Sequence, residues 1–335
     1  MGEMFIPPRK DNTPESIHNF ASRRIGHEAA DILIDPMVSG IFGGDSHELE
    51  LGSCFPVMEE MEKNHGGLIR AMIKKKKEAK ARGKKGGGPA GPSGHLTSFK
   101  GGLYTLIEHL ESLLKEHIKY PAEVKTITKY ENGYNLEYSQ SREIFDEVII
   151  STPSYISSDL LSGLDQELSR LLSEIPYSSL AVVCQGFRLD TVDRTLDGFG
   201  FLIPHNQNMN VLGSIWTSVI FPEQAPDGYA LFRTMLGGAK NEAIVSESED
   251  RLAAIARKEL EPILGLNGEP DYEKVIKWKH AIPQYVIGHR KRLEKINRRL
   301  DEIGNIYLAG NAFTGIGLND TIKRSHNIIE SIKID

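Results

Sequence analysis

The chain has 335 residues, of which 39% are hydrophobic and 26% are charged, and its formal net charge is -6. This composition is that of an ordinary globular protein, and it excludes disordered chains and broadly nucleic-acid-binding ones. The length predicts two domains or one elaborated domain. Two cysteines are too few for a disulfide framework and favour a reducing, cytoplasmic compartment.

The first predicted element is a helix over residues 13–38. It opens at Thr13, a capping residue followed by Pro14. Near its C-terminal end, Pro36 is expected to stop the helical run. Its apolar face is predicted to comprise Ile17, Phe20, Ala21, Ile32 and Leu33.

Residues 74–94 are rich in lysine, glycine and proline, which is typical of a solvated loop or linker. A literal G-x-G-x-x-G lies within it at Gly86–Gly91. Because a lysine run precedes that pattern and Pro89 interrupts it, the pattern does not predict a dinucleotide site.

The middle of the chain predicts an amphipathic helix and then a small meander of three strands. Apolar residues recur at helical spacing at Leu103, Leu106, Ile107, Leu110, Leu113 and Leu114. Strand patterns follow over residues 124–130, 134–138 and 144–150, and Asn132-Gly133 is a strong hairpin signal between the first two.

The second half of the chain predicts an antiparallel sheet followed by helices. Residues 180–236 contain four strand-like segments separated by turn residues. Helices are predicted over residues 246–264 and 288–302, and a last helix ends at Ile332.

The segment Asn305–Asp320, NIYLAGNAFTGIGLND, predicts a short strand, a glycine-rich turn and the start of the last helix. Its glycines permit close approach of the backbone to a ligand, and Asn319 or Asp320 is predicted to cap the helix. Amides exposed at a helix start favour an anion or an electron-rich carbonyl. A plain strand-to-helix turn explains the pattern alone equally well.

Other catalytic patterns do not occur in the sequence. G-x-S-x-G, C-x-x-C and H-E-x-x-H are absent, and the eleven histidines do not cluster at metal-ligand spacing. Asp45, Glu48 and Glu50 are interpreted as a charged surface turn rather than as paired catalytic carboxylates. The sequence therefore predicts neither a metal site nor a catalytic proton-transfer residue.

Several long segments together resemble one family. They are FASRRIGHEAADILIDPMVSGIFGGDSHELELGSCFP at 20–56, SFKGGLYTLIEHL at 98–110, GFGFLIP, VLGSIWTSVIFPEQ, MLGG, IPQYVIGH and the segment Asn305–Asp320. Their order is that of the oxygen-dependent, FAD-containing protoporphyrinogen oxidases of haem biosynthesis, which belong to the amine-oxidase-like flavoproteins. The N-terminal strand, G-x-G-x-x-G turn and helix of that family have no counterpart, so the chain resembles an N-terminally truncated member with weakened FAD binding.

The resemblance implies a set of site residues. Cofactor contacts are expected at Val124, Trp278, Ile316, Gly317 and Leu318. Substrate contacts are expected at Gly40, Phe199, Leu202, Ile215 and Met235, of which the last four would enclose a flat apolar macrocycle. Taken singly, those four apolar residues are also typical of core packing.

The implied activity is the six-electron oxidation of protoporphyrinogen IX to protoporphyrin IX in three two-electron rounds of hydride transfer to FAD. Each round is followed by reoxidation with O2 and release of H2O2. The alternatives are oxidation of coproporphyrinogen III to coproporphyrin III, a non-catalytic tetrapyrrole-binding fragment, and a relative of the phytoene desaturases. The segment at 20–56 disfavours the last of these.

The implied fold class is α/β and α+β, with part of a Rossmann-like FAD-binding domain, an antiparallel-sheet substrate domain and a helical, membrane-associated subdomain. The predicted division is helical 1–95, FAD-binding 96–155, substrate-binding 156–285 and FAD-binding 286–335. The predicted partners are a porphyrinogen and O2, with peripheral membrane contact and a homodimer as further interactions and no nucleic acid. The predicted location is cytoplasmic, either free or at the membrane surface.

Overall fold

The computed structural model describes residues 2–81, 96–138 and 141–332. The literal G-x-G-x-x-G and most of the predicted glycine-rich loop lie outside the described residues. Within them the chain forms a mixed α/β structure that contains antiparallel sheets.

The α-helices are α1 Ile17–Ile25, α2 His27–Ala29, α3 Asp35–Phe42, α4 Leu51–Cys54, α5 Pro56–His65, α6 Leu68–Ala81, α7 Tyr104–Leu114, α8 Ser154–Leu161, α9 Gln166–Ser173, α10 Thr217–Ile220, α11 Glu249–Leu264, α12 His289–Ile303 and α13 Leu318–Ser331. A π-helical segment, Ala30–Ile34, lies between α2 and α3. The strands are β1 Val124–Tyr130, β2 Gly133–Tyr138, β3 Ser141–Phe145, β4 Val148–Ile150, β5 Tyr177–Arg188, β6 Gly200–Leu202, β7 Val211–Trp216, β8 Tyr229–Gly237, β9 Tyr272–Pro283 and β10 Ile306–Leu308.

The chain divides into two compact units. The first comprises Met1–His47, Phe55–Ile118 and Ser178–Ala281, and the second comprises Glu48–Cys54, Lys119–Tyr177 and Ile282–Asp335. The division into four segments stays a prediction.

The first unit is built on a five-stranded sheet with the strand order β6-β7-β8-β5-β9. β6 pairs with β7, β7 with β8, and β8 with β5, each in antiparallel orientation. The predicted antiparallel sheet over residues 180–236 is therefore confirmed. β9 is an additional strand that the sequence analysis did not identify.

One face of this sheet packs against α11 to form the core of the first unit. Phe187 and Phe232 of the sheet are fully buried together with Leu252 and Leu260 of the helix. Each such side chain contributes roughly 1.5–3 kcal/mol of burial free energy. The predicted helix over residues 246–264 is thus confirmed, and it begins at Ser248, whose side chain accepts a hydrogen bond from the amide of Arg251.

The predicted helix over residues 13–38 is divided into shorter helices. Ser16 rather than Thr13 caps α1, because its Oγ accepts the hydrogen bond of the amide three residues later. Gly26, with a φ of +96°, interrupts the run after α1. Pro36 does not end it, because the proline lies in the first turn of α3, where no intrahelical hydrogen bond is lost.

The apolar faces of two predicted helices are only partly correct. Ile17, Phe20 and Ala21 are buried as expected, whereas Ile32 and Leu33 are exposed. α7 forms where predicted, but none of its residues is buried. The expected loop from residue 74 is wrong over residues 74–81, since these residues continue α6.

The second unit contains the predicted meander, in which β1 pairs with β2 and β2 with β3 in antiparallel orientation. The strand predicted over residues 144–150 is in fact two strands, since β4 leaves the meander and pairs in parallel with β10. Tyr134 of β2 is fully buried, and its hydroxyl donates to the carbonyl of Ile303 at 3.1 Å. This side chain joins the meander to the end of α12.

Helices α8, α9 and α12 complete the core of the second unit. Leu161, Leu168, Leu172 and Ile296 are buried with the strand residues Ile150 and Leu308. α12 and α13 confirm the helices predicted over residues 288–302 and up to Ile332, the latter ending one residue earlier. α8 and α9 were not predicted.

Candidate functional site

Three of the predicted substrate residues lie on one face of the five-stranded sheet. Leu202 pairs with Gly213, and Gly213 pairs with Met235, so both side chains flank a position that has none. Ile215 lies two residues from Gly213 and therefore points to the same side. We call this the α3 face, defined by Leu202, Ile215, Arg233 and Met235; it is opposite the face that packs on α11.

Gly40 brings α3 against this face. A Cβ atom placed at Gly40 would lie 2.5 Å from Cδ2 of Leu202, so a larger residue there would require the Leu202 side chain to shift. The structure therefore places Gly40 and Leu202 in contact.

Both ends of α3 are held by the segment that follows β8. The Asp35 carboxylate accepts from Nζ of Lys240 at 3.0 and 3.1 Å and from Oγ of Ser46 at 2.6 Å. Burial alone would raise the pKa of this carboxyl, but the hydrogen bonds from Ser46 and Lys240 hold it below its usual value. At the other end, the carbonyl of Gly43 accepts from the amide of Ala239 at 2.7 Å.

Phe199 lies immediately before β6 with its side chain 64% exposed. Its carbonyl accepts a hydrogen bond from the amide of Trp216 at 2.9 Å. Gly200 next to it has a φ of +137°, and a Cβ there would lie 2.0 Å from the carbonyl oxygen of Ser214. The backbone close to Phe199 is thus fixed, while its ring remains accessible.

A cavity of about 680 Å³ opens beside the α3 face. It is lined by Ile215, Leu231 and Phe221 and by the segment around Gly102. Its volume is within the range of about 300–1,000 Å³ that is usual for small-molecule sites.

Two cationic side chains, Lys100 and Arg233, also line this cavity. The sequence analysis did not identify either of them. For Arg233 the signal was present, because in YALFRTML the alternation of a strand places Arg233 on the same side as Met235. No comparable pattern marks Lys100.

The segment Asn305–Asp320 has the predicted order of strand, turn and helix. Gly310 and Gly315 have φ angles of +109° and +67°, and a Cβ at Gly315 would lie 2.6 Å from the side chain of Asp320. The turn thus requires glycine for both backbone conformation and space.

The predicted capping of α13 by Asn319 or Asp320 is wrong. Gly317 is the N-cap, no side chain in the described part of the chain makes a capping hydrogen bond, and Asp320 lies in the first turn. The predicted cofactor residues Ile316, Gly317 and Leu318 are therefore next to helix amides without a side-chain cap from residues 2–81, 96–138 or 141–332.

The remaining two predicted cofactor residues lie elsewhere. Val124 is the first residue of β1 in the second unit, where it packs on the core of that unit. Trp278 lies on β9 in the first unit, and 56% of its surface is exposed.

Glu50 is a buried residue that the sequence analysis placed wrongly on the surface. It is 3% exposed, and its Oε2 accepts from the amide of Gly288 at 2.9 Å. Asp45 is half-buried, and its Oδ1 lies 3.3 Å from Nζ of Lys240. Glu48 is exposed as expected.

A stacked aromatic pair lies at the start of α12, where the backbone amide of Glu50 donates to the carbonyl of Tyr285. The rings of Tyr285 and His289 lie 4.3 Å apart at 10°, and the Tyr285 hydroxyl donates to the carbonyl of Asn311 in the turn before α13. Burial, with the nearby Arg292 guanidinium, lowers the pKa of His289 to about 4. Burial also raises the pKa of Tyr285, so both rings are neutral at pH 7.

Comparison with known proteins gives relatives over nearly the whole chain. The coproporphyrinogen III oxidase of Bacillus subtilis (strain 168) is 31% identical over 323 residues, which is 96% of this chain and 67% of that protein. The chloroplastic protoporphyrinogen oxidase 1 of Arabidopsis thaliana is 30% identical over 97% of this chain and 64% of its own length. The chain thus spans about two thirds of the length of these relatives.

A solved structure has the same fold. The crystal structure from Exiguobacterium sp. 255-15, which is assigned there as a protoporphyrinogen oxidase, superposes with a TM-score of 0.79 at 24% identity, over 96% of this chain and 68% of that one. The family described as flavin containing amine oxidoreductase matches residues 4–324. The chain therefore belongs to the flavin-containing amine oxidoreductases, and FAD is the cofactor that this membership implies.

Proposed function

We propose that the protein oxidises protoporphyrinogen IX to protoporphyrin IX with FAD and O2, releasing H2O2. The observation that carries the proposal is the α3 face, where Leu202, Ile215 and Met235 share one side of a sheet that faces away from the core. The relatives named as protoporphyrinogen and coproporphyrinogen oxidases support it.

The α3 face is suited to a flat apolar ring. Aliphatic side chains on a rigid sheet offer a surface whose burial contributes roughly 25 cal/mol per Å² of apolar area. A Cβ at Gly213 would lie 2.6 Å from the carbonyl oxygen of Phe201 and 2.9 Å from Cδ2 of Leu202, so this glycine lets the Leu202 side chain pack closely over β7. Gly40 sets how closely α3 approaches that surface.

The residues around Gly317 fit a flavin. The glycine turn and the start of α13, where the structure has no side-chain cap among the described residues, offer backbone hydrogen-bond donors. Ile316, Gly317 and Leu318 would hold the cofactor there. When bound, FAD supplies the two-electron oxidising chemistry, and the protein's own residues position the substrate and shield it from water.

Lys100 and Arg233 provide the cationic groups that a tetrapyrrole with carboxylate side chains needs. Coproporphyrinogen III is the alternative substrate, and it carries two propionates where protoporphyrinogen IX has vinyl groups. A side chain that pairs with one of those additional propionates would favour coproporphyrinogen.

The test is flavin-dependent formation of fluorescent porphyrin by the purified chain in air, with either porphyrinogen and with or without added FAD. A rate that rises and saturates with FAD supports the proposal. Porphyrin binding without FAD-dependent oxidation would instead identify a non-catalytic tetrapyrrole-binding protein. Replacing Arg233 with leucine should lower kcat/KM for the porphyrinogen that the protein oxidises. The decrease should be larger if that substrate is coproporphyrinogen.

We also propose peripheral contact between the first unit and an anionic membrane surface. Lys74–Lys77 are consecutive exposed lysines on α6, directly after the exposed Met72 and Ile73. Such a combination attracts anionic lipid and inserts apolar side chains at the interface. Among the described residues, no helix combines the length and the apolar character needed to cross a bilayer. Formation of a homodimer stays a prediction.

A further inference from the structure

Three side chains that are separate in the sequence meet in the helical part of the first unit. His18 lies in α1, Asp31 in the π-helical segment and His47 in the turn after α3. Their candidate ligand atoms all lie within 4.8 Å of one another. Nε2 of His18 is 2.7 Å from Oδ1 of Asp31, and the rings of His18 and His47 stack at 3.7 Å.

His18 is held rigidly at the base of this cluster. It is 4% exposed, and its backbone amide donates to the carbonyl of Ser46 at 2.9 Å. Its Nδ1 lies 3.4 Å from Oγ of Ser22, which leaves Nε2 directed at Asp31. A metal-binding imidazole is usually oriented by a hydrogen bond at the ring nitrogen that does not bind the metal.

The other two residues lie on local structures that fix their backbone and leave their side chains accessible. The amide of His47 donates to Oδ1 of Asp45 at 2.9 Å, and the neighbouring Ser46 is bonded to Asp35. Asp31 lies in a π-helical turn, a widened turn that is frequent at functional sites. Its side chain is 58% exposed, and His47 is exposed as well.

We propose that His18, Asp31 and His47 form a binding site for a divalent transition-metal ion of the zinc type. Two imidazoles and one carboxylate are the ligands that Zn²⁺, Co²⁺ and Ni²⁺ accept, whereas Mg²⁺ and Ca²⁺ prefer oxygen ligands alone. Three protein ligands leave a further position for water.

The required rearrangement is small. Metal–ligand bonds of about 2.0–2.2 Å in a tetrahedron place the ligand atoms about 3.3 Å apart. This separation lies between the 2.7 Å that joins Nε2 of His18 to Oδ1 of Asp31 and the 4.8 Å within which all the candidate ligand atoms lie. His18 keeps its position. Asp31 moves back by roughly half an ångström from its hydrogen bond, and the His47 ring turns out of the stack, so that a nitrogen faces the ion.

Binding would join three segments that otherwise meet through a few hydrogen bonds. The Ser46 hydroxyl already links the turn to Asp35 at the start of α3, the helix that carries Gly40. An ion at this site therefore stabilises the turn that holds α3. Spacing along the sequence gave no sign of the site, because the helical breaks at Gly26 and the π-helical segment bring its members together.

The test is titration of the metal-free chain with CoCl2, followed by the visible absorption of tetrahedral Co²⁺, and then displacement with ZnCl2. The matched variants are Asp31→Asn and His47→Ala, which alter exposed side chains. His109→Ala, an exposed histidine on α7 in the same unit, is the control. Far-ultraviolet circular dichroism verifies that all three variants are folded.

We expect a single equivalent of Co²⁺ to bind the unchanged chain and the His109→Ala variant with the same affinity. Asp31→Asn and His47→Ala should each weaken binding about 10-fold or more. Zn²⁺ should raise the melting temperature of the first two proteins only, because a ligand of the native state stabilises it by mass action. Equal Co²⁺ affinity in all four proteins, or no tetrahedral absorption in the unchanged chain, would overturn the proposal.

Discussion

Oε2 of Glu50 lies 2.9 Å from the backbone nitrogen of Gly288, so a buried carboxylate caps α12 from a position 238 residues away in the sequence. The same oxygen lies 3.5 Å from the amide of Arg290. Backbone hydrogen bonds between Glu50 and Tyr285 and between Glu48 and Ile287 hold the two segments in register.

Replacing Glu50 with alanine should destabilise the second unit by about 2 kcal/mol, because the amides of Gly288 and Arg290 at the start of α12 lose their acceptor. Glu50→Gln keeps an oxygen acceptor and should lose less. The measurement is the free energy of unfolding from urea titrations. Glu48→Ala is the matched control: this side chain is exposed, so the free energy should change by less than about 0.5 kcal/mol. Equal losses for Glu50→Ala and Glu48→Ala would contradict the capping role.

His289 should make stability depend on pH. Its pKa in the folded chain is lowered from 6.5 to about 4, so the unfolded chain takes up a proton at a higher pH than the folded chain. The contribution is fully present above pH 6.5, and it falls as the pH falls towards 4, by about 3 kcal/mol in all.

His289→Phe retains a ring beside Tyr285 and removes the proton site, so it should flatten this part of the pH profile. The measurement is the midpoint of urea-induced unfolding at several pH values between about 4 and 7.5. This range includes the pH at which a free histidine titrates. His326→Phe, at an exposed position on α13, should keep the slope of the unchanged chain. An unaltered slope in His289→Phe would show that another group causes it.

Gly40→Ala should weaken substrate binding with little effect on folding of the second unit. The new Cβ would lie 2.5 Å from Cδ2 of Leu202, so the leucine side chain must shift on the α3 face. A loss of about 1–2 kcal/mol corresponds to roughly a 10-fold higher KM for the porphyrinogen. Gly163→Ala is the matched control, because a Cβ there meets no atom within 4 Å. An unchanged KM in Gly40→Ala would contradict a contribution of Gly40 to the substrate site.

The lysines on α6 should contribute to membrane binding. Replacing Lys74–Lys77 with glutamine removes four positive charges, each of which contributes about 1 kcal/mol near an anionic surface. Sedimentation with vesicles that contain anionic lipid should therefore decrease, and the difference should shrink as salt is added. The same replacement at Lys274 and Lys277 on β9 gives a comparison away from α6. Unchanged sedimentation of the α6 variant would contradict the proposed contact.

Local patterns predicted local structure well. The hairpin, the helix α11 and the glycine turn before α13 are each determined by residues close together in the sequence, and each is observed, although the hairpin turn is Glu131-Asn132 and Gly133 is the first residue of β2. The burial of Glu50 could not be predicted, because its partner amide is distant in the chain. The splitting of residues 144–150 follows likewise from the parallel pairing of β4 with β10.

The candidate substrate site was predicted as a set of residues, but not as a surface. The resemblance named Leu202, Ile215 and Met235, and only the register of β6, β7 and β8 shows that they share one face. The cationic side chains of Lys100 and Arg233 were identified only from the residues that line the cavity. α7 shows the opposite limit, since its regular apolar spacing predicted a helix correctly but not its exposure.

The most direct test of the substrate face is the dissociation constant of protoporphyrin IX, measured by fluorescence titration for Met235→Glu and Ile144→Glu. Met235 lies on the α3 face, and Ile144 is an exposed strand residue of β3 in the second unit. A carboxylate among the apolar side chains should weaken binding by about 10-fold or more for Met235→Glu, because desolvating it costs at least about 1–3 kcal/mol. Ile144→Glu should bind like the unchanged chain. Equal affinities for the two variants would contradict the assignment of the α3 face as the porphyrin site.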